Sequence, residues 1–161
     1  MKNLTLIRHA KSSWEHQVTD FERPLKSRGI KDAKIISSHV KNRIFIPDLI
    51  LCSDSTRTKS TAEIFIKNLD FQNVGLQFSH DLYNFSVGNL VNKIKNCNDA
   101  VNSLMIFGHN HAITDFTNTF GSEHFDNVPT CGLIQIRFNI DSWKNLNKGE
   151  TLFSVFPKEL K

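Results

Sequence analysis

The chain has 161 residues, 39% of them hydrophobic and 22% charged, which suits one packed domain and argues against a disordered tail. Its formal net charge is +4, but lysines and arginines are scattered rather than clustered with aromatics, which disfavours a nucleic-acid partner and suits an anionic substrate. Three distant cysteines, Cys52, Cys97 and Cys131, offer neither a disulfide framework nor a zinc site.

The N-terminal run MKNLTLIRHAK holds too few apolar residues for a signal peptide, and no stretch approaches the length of a membrane span. The expected setting is the cytoplasm, with no membrane partner, and the expected state is a monomeric single domain over 1–161.

In chain order, Leu4 to Ile7 is a short apolar run and predicts a buried strand. Residues 10–25 are polar, carry Pro24 and predict a loop. From about Ser27 to Arg43, Ile30, Ala33, Ile36 or Ser37, and Val40 recur at helical spacing with Lys31, Lys34 and Lys41 outside, and Pro47 closes the region. Asp48 to Ser53 predicts a second buried strand, and Thr58 to Leu69 a helix with Ala62, Phe65, Ile66 and Leu69 inward.

Gly75 to Ser79 predicts a short strand and Val87 to Asn96 a helix. Ser103 to Phe107 is a third strong strand, ending at Gly108, and Ala112 to Phe120 a helix that stops at Gly121. Leu133 to Ile140 alternates as a half-solvated strand does, and Leu152 to Phe156 pairs with it as a hairpin. Strand–helix alternation of this kind predicts a three-layer α/β/α fold: a mostly parallel sheet, helices on both faces and an antiparallel C-terminal edge hairpin.

In such sheets ligands bind beyond the carboxyl ends of the strands. The first strong strand delivers Arg8, His9 and Lys11 there; the second, Ser53 to Arg57; the third, Gly108, His109 and Asn110. Singly, a histidine or arginine at a strand end has an ordinary structural explanation. Three ends that supply Arg-His, Arg and Gly-His point instead to a phosphate site, because planar guanidiniums match phosphoryl oxygens. Gly108 is expected to let its strand pass close to a ligand.

Four segments then resemble a known family: LIRHAKSSW at 6–14, DFERPLKSRG at 20–29, CSDSTRTKSTAEIF at 52–65 and FGHN at 107–110. In this order, with VPTCGLIQIRF at 128–138, they resemble the histidine phosphatase superfamily, and within it the short SixA-type phosphohistidine phosphatase branch. The resemblance implies a phosphatase with His9 as nucleophile and Arg8, Arg57 and His109 as its phosphate pocket. It implies no cofactor.

The family's general acid aligns with Asp81, in the run HDLYN at 80–84, one methylene shorter than the usual Glu. Asn110 and Arg23 are further candidates for substrate binding, and Arg28 for the pocket rim. Arg8-His9-Ala10 replaces the common Arg-His-Gly, again as in the SixA-like branch, and Glu15 stands where phosphoglycerate mutases carry Asn.

His109 and His111 are spaced i, i+2, which turns them to different sides, and no ligand set surrounds them, so no metal is expected. Like-charge repulsion from Arg8 and Arg57 is expected to keep His9 neutral. The implied substrate is phosphohistidine on a partner protein. The alternatives are a small phosphorylated metabolite, cleaved by a broad phosphomonoesterase, and a non-catalytic phosphoresidue-binding module.

Overall fold

The computed structural model describes residues 1–161. One six-stranded sheet is built from β1 (Lys2–Arg8), β2 (Leu49–Ser53), β3 (Gly75–Ser79), β4 (Ser103–Gly108), β5 (Leu133–Phe138) and β6 (Glu150–Val155). Their spatial order is β3-β2-β4-β1-β5-β6. The pairs β1·β4, β2·β4 and β2·β3 are parallel; β5 runs antiparallel to both β1 and β6. The expected α/β/α architecture with its antiparallel C-terminal edge is therefore the observed one.

Side-chain alternation along the central strands divides the core in two. Leu4 and Leu6 of β1 and Leu104 and Ile106 of β4 face a layer containing α3 (Val87–Lys95) and α4 (Ala112–Phe120), with Leu90, Ile94, Ile113 and Phe116 inward. Ile7, Met105 and Phe107 face the opposite layer, where α1 (Ser27–Val40) and α2 (Thr56–Leu69) contribute Ala33, Ile36, Val40, Ala62 and Phe65. Strands covered on both faces read as continuous apolar runs, which is why β1, β2 and β4 stand out in the sequence.

Three expectations differ from the structure. β5 is not half-solvated: Leu133, Ile134, Gln135 and Ile136 are all buried. Of its two polar members, Arg137 is half-buried and pairs with Glu150, while Gln135 is satisfied inside by donating to Thr5 Oγ1 at 3.1 Å, so at Gln135 the alternation marks a polar core contact rather than a wet face. The 10–25 loop contains a 3-10 turn, Asp20–Glu22, and an isolated bridge from Ser12 to Leu25. Finally, α2 begins at Thr56 rather than Thr58, which places Arg57 in its first turn.

The loop after β1 is held against α1 by close backbone approach. Lys26 N–H donates to Lys11 O at 2.9 Å. A Cβ at Gly29 would lie 2.2 Å from the same carbonyl, so only glycine fits at that turn of α1. Gly108 is different. A Cβ there would meet nothing closer than Ile113 Cδ1 at 3.8 Å, so the protein's own packing places no demand on that glycine. No helix is long and apolar enough to cross a membrane.

Candidate active site

The carboxyl ends of β1, β2 and β4 open on a cavity of about 320 Å³ whose walls include Arg8, His9, Arg57, His109 and Asn110. The strand-end residues singled out in the sequence thus meet at one place. β1 sits at the centre of the sheet, flanked by β4 on one side and β5 on the other, so the residues that follow it are fixed from both sides. His9 N–H donates to Gly108 O at 3.0 Å, and Cys131 N–H reaches Arg8 O at 3.1 Å and His9 O at 2.9 Å.

His9 is buried, and its Nδ1 lies 2.8 Å from Ala10 O. A carbonyl only accepts, so Nδ1 carries the proton and Nε2 is bare. Ala10 is itself held by its N–H, which donates to Thr61 Oγ1 at 2.9 Å, while Thr61 donates to Arg57 O at 2.8 Å. The loop that carries His9 and the helix that carries Arg57 are thus joined through one buried hydroxyl.

The pKa of His9 is pushed down to about 3, by burial first and then by the charges of Arg57, Arg8 and Arg23, against the opposing hydrogen bond to Ala10. Like-charge repulsion, the cause expected from sequence, is therefore secondary. The enclosure of the ring could not be read from its neighbours in the chain.

His109 is also buried, and its pKa falls to about 2, mainly through burial and then through His9 and Arg57. Its Nε2 faces three hydroxyls: Ser53 at 2.8 Å, Thr58 at 3.3 Å and Ser55 at 3.4 Å. Ser53 Oγ already accepts the Ser55 N–H, so its own proton is free to go to Nε2. The neutral ring then carries its proton on Nδ1, which has no partner within the protein and is available to donate to an oxyanion.

Arg57 is only 2% exposed. Its Nη1 donates to Asp20 O at 2.7 Å, its Nη2 to Asp20 Oδ2 at 3.1 Å, and its Nε points at His9 Nε2 at 3.4 Å. Arg8 donates through Nη1 to Val128 O at 2.9 Å, while its buried Nε has no partner. Arg8 as a residue lines the cavity, where a guanidinium suits an anion.

Arg23 lines the same cavity, donating to Asp20 Oδ1 at 3.1 Å and Ser12 Oγ at 2.6 Å, with its guanidinium carbon 3.5 Å from the centroid of Trp14. Asn110 also lines it, but its amide is saturated internally. Nδ2 donates to Asn127 Oδ1 and Val128 O, and Oδ1 accepts from Thr114. That amide ties the start of α4 to the loop before β5 and leaves no spare donor for a substrate.

Two candidates fall elsewhere. Asp81 is exposed, on a separate cleft with Asn89, Asn92, Lys93 and Asn96. It follows β3 on a 3-10 turn that buries Leu82, and that turn sends Asp81 away from His9. Arg28 lines a different depression with Ser13 and Glu15 and pairs with Asp32 at 3.8 Å. No three His, Cys, Asp or Glu side chains converge as a metal-ligand set.

Sequence reasoning missed Asp20, Thr61, Tyr83 and Thr58, and it placed Ser53 and Ser55 at the strand end without foreseeing that they face His109 Nε2. Asp20 carried a signal, being three residues before Arg23 in a segment already singled out. Thr61 carried another, lying one helical turn beyond Arg57. The contact between Tyr83 and Asp20, which spans 63 residues, had none.

A sequence profile of the histidine phosphatase superfamily (branch 1) matches residues 4–128. An uncharacterized protein of Mycobacterium tuberculosis is 29% identical over 103 residues, 64% of this chain and 62% of that protein; the match thus spans under two thirds of the relative. Among solved structures, a SixA-type protein of Agrobacterium tumefaciens has a TM-score of 0.80 at 22% identity, covering 97% of this chain and 98% of that one. The protein histidine phosphatase SixA, solved with tungstate, has a TM-score of 0.84 at 17% identity and covers 99% of each chain. With the family profile spanning most of its length, the chain belongs to the histidine phosphatase superfamily, branch 1.

Proposed function

We propose that this protein is a phosphatase that takes a phosphoryl group onto His9 Nε2 and hydrolyses it, and that its substrate is phosphohistidine on a partner protein. The observation that carries the substrate class is the carboxylate inventory of the cavity. Asp20 is the one carboxyl group in its wall, and it is held ionised. Burial alone would raise its pKa, but the Tyr83 hydroxyl, Arg57 and Arg23 outweigh burial and bring it down to about 2.

An alkoxide leaving group needs a proton as it departs. An imidazole already protonated by solvent on its other nitrogen departs as a neutral molecule and needs none. A cavity without a protonated carboxyl therefore favours P–N over P–O cleavage. The likeness to the protein histidine phosphatase SixA supports the same reading.

In the first step the His9 Nε2 lone pair forms a bond to phosphorus as the bond from phosphorus to the leaving nitrogen breaks, its electron pair going with the imidazole. The His9 ring then bears the positive charge of the N–P bond, and the Nδ1–H donated to Ala10 O stabilises it. Arg8, Arg57 and the His109 Nδ1–H neutralise the phosphoryl oxygens, where preorganised donors contribute most. Water next attacks phosphorus, the N–P electron pair returns to His9 Nε2, and both protons of the water leave on the product as dihydrogen phosphate.

The test compares turnover of a phosphohistidine peptide with that of an alkyl phosphomonoester, β-glycerophosphate, with His9→Ala as control. The proposal expects higher kcat/KM on the P–N substrate and loss of both activities in His9→Ala by roughly 10³-fold or more. Preference for the ester would reject the phosphohistidine assignment.

A further inference from the structure

We propose that Asp20 is a positioning residue that sets which edge of Arg57 meets the phosphoryl group. This rests on the phosphatase reading above. The guanidinium has five N–H bonds. Asp20 takes one from Nη1 with its backbone carbonyl and one from Nη2 with Oδ2, so both terminal nitrogens are engaged by a single residue. The edge left over is the one that includes Nε–H, and Nε is the atom 3.4 Å from His9 Nε2. Arg57 is thereby turned side-on to the nucleophile, the orientation in which Nε–H and its neighbouring N–H can grip the oxygens of a group bonded to Nε2.

The same carboxylate organises two further walls. Oδ1 accepts from Arg23 Nε at 3.1 Å, and Oδ2 also accepts from the Tyr83 hydroxyl. Tyr83 in turn packs edge-on against His109, with ring centroids 5.5 Å apart. Asp20 thus links the loop after β1, the first turn of α2 and the turn after β3, three segments that no strand pairing holds together at this level. Its charge leaves the cavity wall with Arg8, Arg23, Arg57 and Lys11 against a single carboxylate, so the site stays cationic while one arginine is fixed.

The experiment compares Asp20→Ala and Asp20→Asn with wild type in three readouts: kcat and KM, inorganic phosphate affinity by calorimetry, and the Arg57 Nε–H resonance in protein labelled with ¹⁵N-arginine, identified by its loss in Arg57→Lys. Asp20→Ala is expected to lower kcat/KM roughly 10–10²-fold, chiefly through kcat, and to weaken phosphate binding. The Arg57 Nε–H signal is expected to broaden as the side chain is released. Both variants keep the backbone carbonyl that accepts from Nη1, but Asp20→Asn also keeps one side-chain oxygen for Nη2 while losing the acceptor for Arg23, so it is expected to fall between Ala and wild type.

Unchanged kcat/KM and an unchanged Nε–H signal in a folded Asp20→Ala would overturn the proposal. Tighter phosphate binding in either variant would overturn it too, because Asp20 would then be a competitor for the anion's place. If the phosphatase reading itself fails, wild type lacks turnover, and the resonance still decides whether Asp20 fixes Arg57.

Discussion

Arg57 Nε lies 3.4 Å from His9 Nε2, so in the resting protein the guanidinium covers the lone pair that would attack phosphorus. A substrate must draw that N–H onto a phosphoryl oxygen as it uncovers the nitrogen. Removing the planar group is therefore expected to be costly: Arg57→Ala lowers kcat/KM by roughly 10²–10³-fold. Arg57→Lys restores little, because an ammonium cannot engage Asp20 and face His9 at once. Steady-state kinetics on both variants checks this, and near-normal turnover in the lysine variant would reduce the role to bulk charge.

Thr61 is expected to matter to stability and rate together. Thr61→Val keeps the shape but leaves the buried Ala10 N–H without its acceptor at 2.9 Å, at a cost of about 1–3 kcal/mol. Because Ala10 O orients the His9 ring, kcat should also fall, by roughly 10–10²-fold. Denaturant melts and kcat measured on the same preparation test both effects. Lost stability with intact kcat would make Thr61 a packing residue only.

The depressed histidines give a pH dependence of definite sign. His9 titrates near 3 and His109 near 2 in the folded protein, against 6.5 in the unfolded chain, so below pH 6.5 the unfolded state binds protons that the folded state does not. Stability is greatest above pH 6.5 and falls as the pH drops below it, because only the unfolded chain then takes up the protons. The nucleophile stays neutral throughout, so kcat/KM, corrected for substrate ionisation, should show no histidine-like loss centred at pH 6.5. Urea melts from pH 4.5 to 8 and a parallel rate profile examine the two halves separately.

Asp81 is expected to be dispensable. Exposed and outside the cavity, Asp81→Asn should change kcat/KM by less than about twofold on either substrate type. A loss of roughly 10²-fold or more on esters alone would restore it as the general acid.

Much of this was legible in the chain itself. β1, β2 and β4 are covered on both faces, so each is a short apolar run followed by charge, and Arg8, His9, Arg57 and His109 stand where those runs stop. What eluded sequence reasoning depends on folding back. The alternation in β5 looks like a wet face because Gln135 is polar, yet its partner Thr5 lies 130 residues away. Asp81 is near the family's acid position in the chain, but a turn anchored by Leu82 decides which cleft it faces. Asp20 sits in a polar loop, where a carboxylate is unremarkable until α2 brings Arg57 onto it.

The central claim is covalent catalysis at His9, and trapping the intermediate tests it most directly. Wild type mixed with a ³²P-labelled substrate and quenched in alkali should retain label on the protein, stable to base, released by acid and mapping by mass spectrometry to His9. His9→Ala should retain none. Label that persists in His9→Ala, or a wild type that turns over substrate without ever carrying label, would contradict the account.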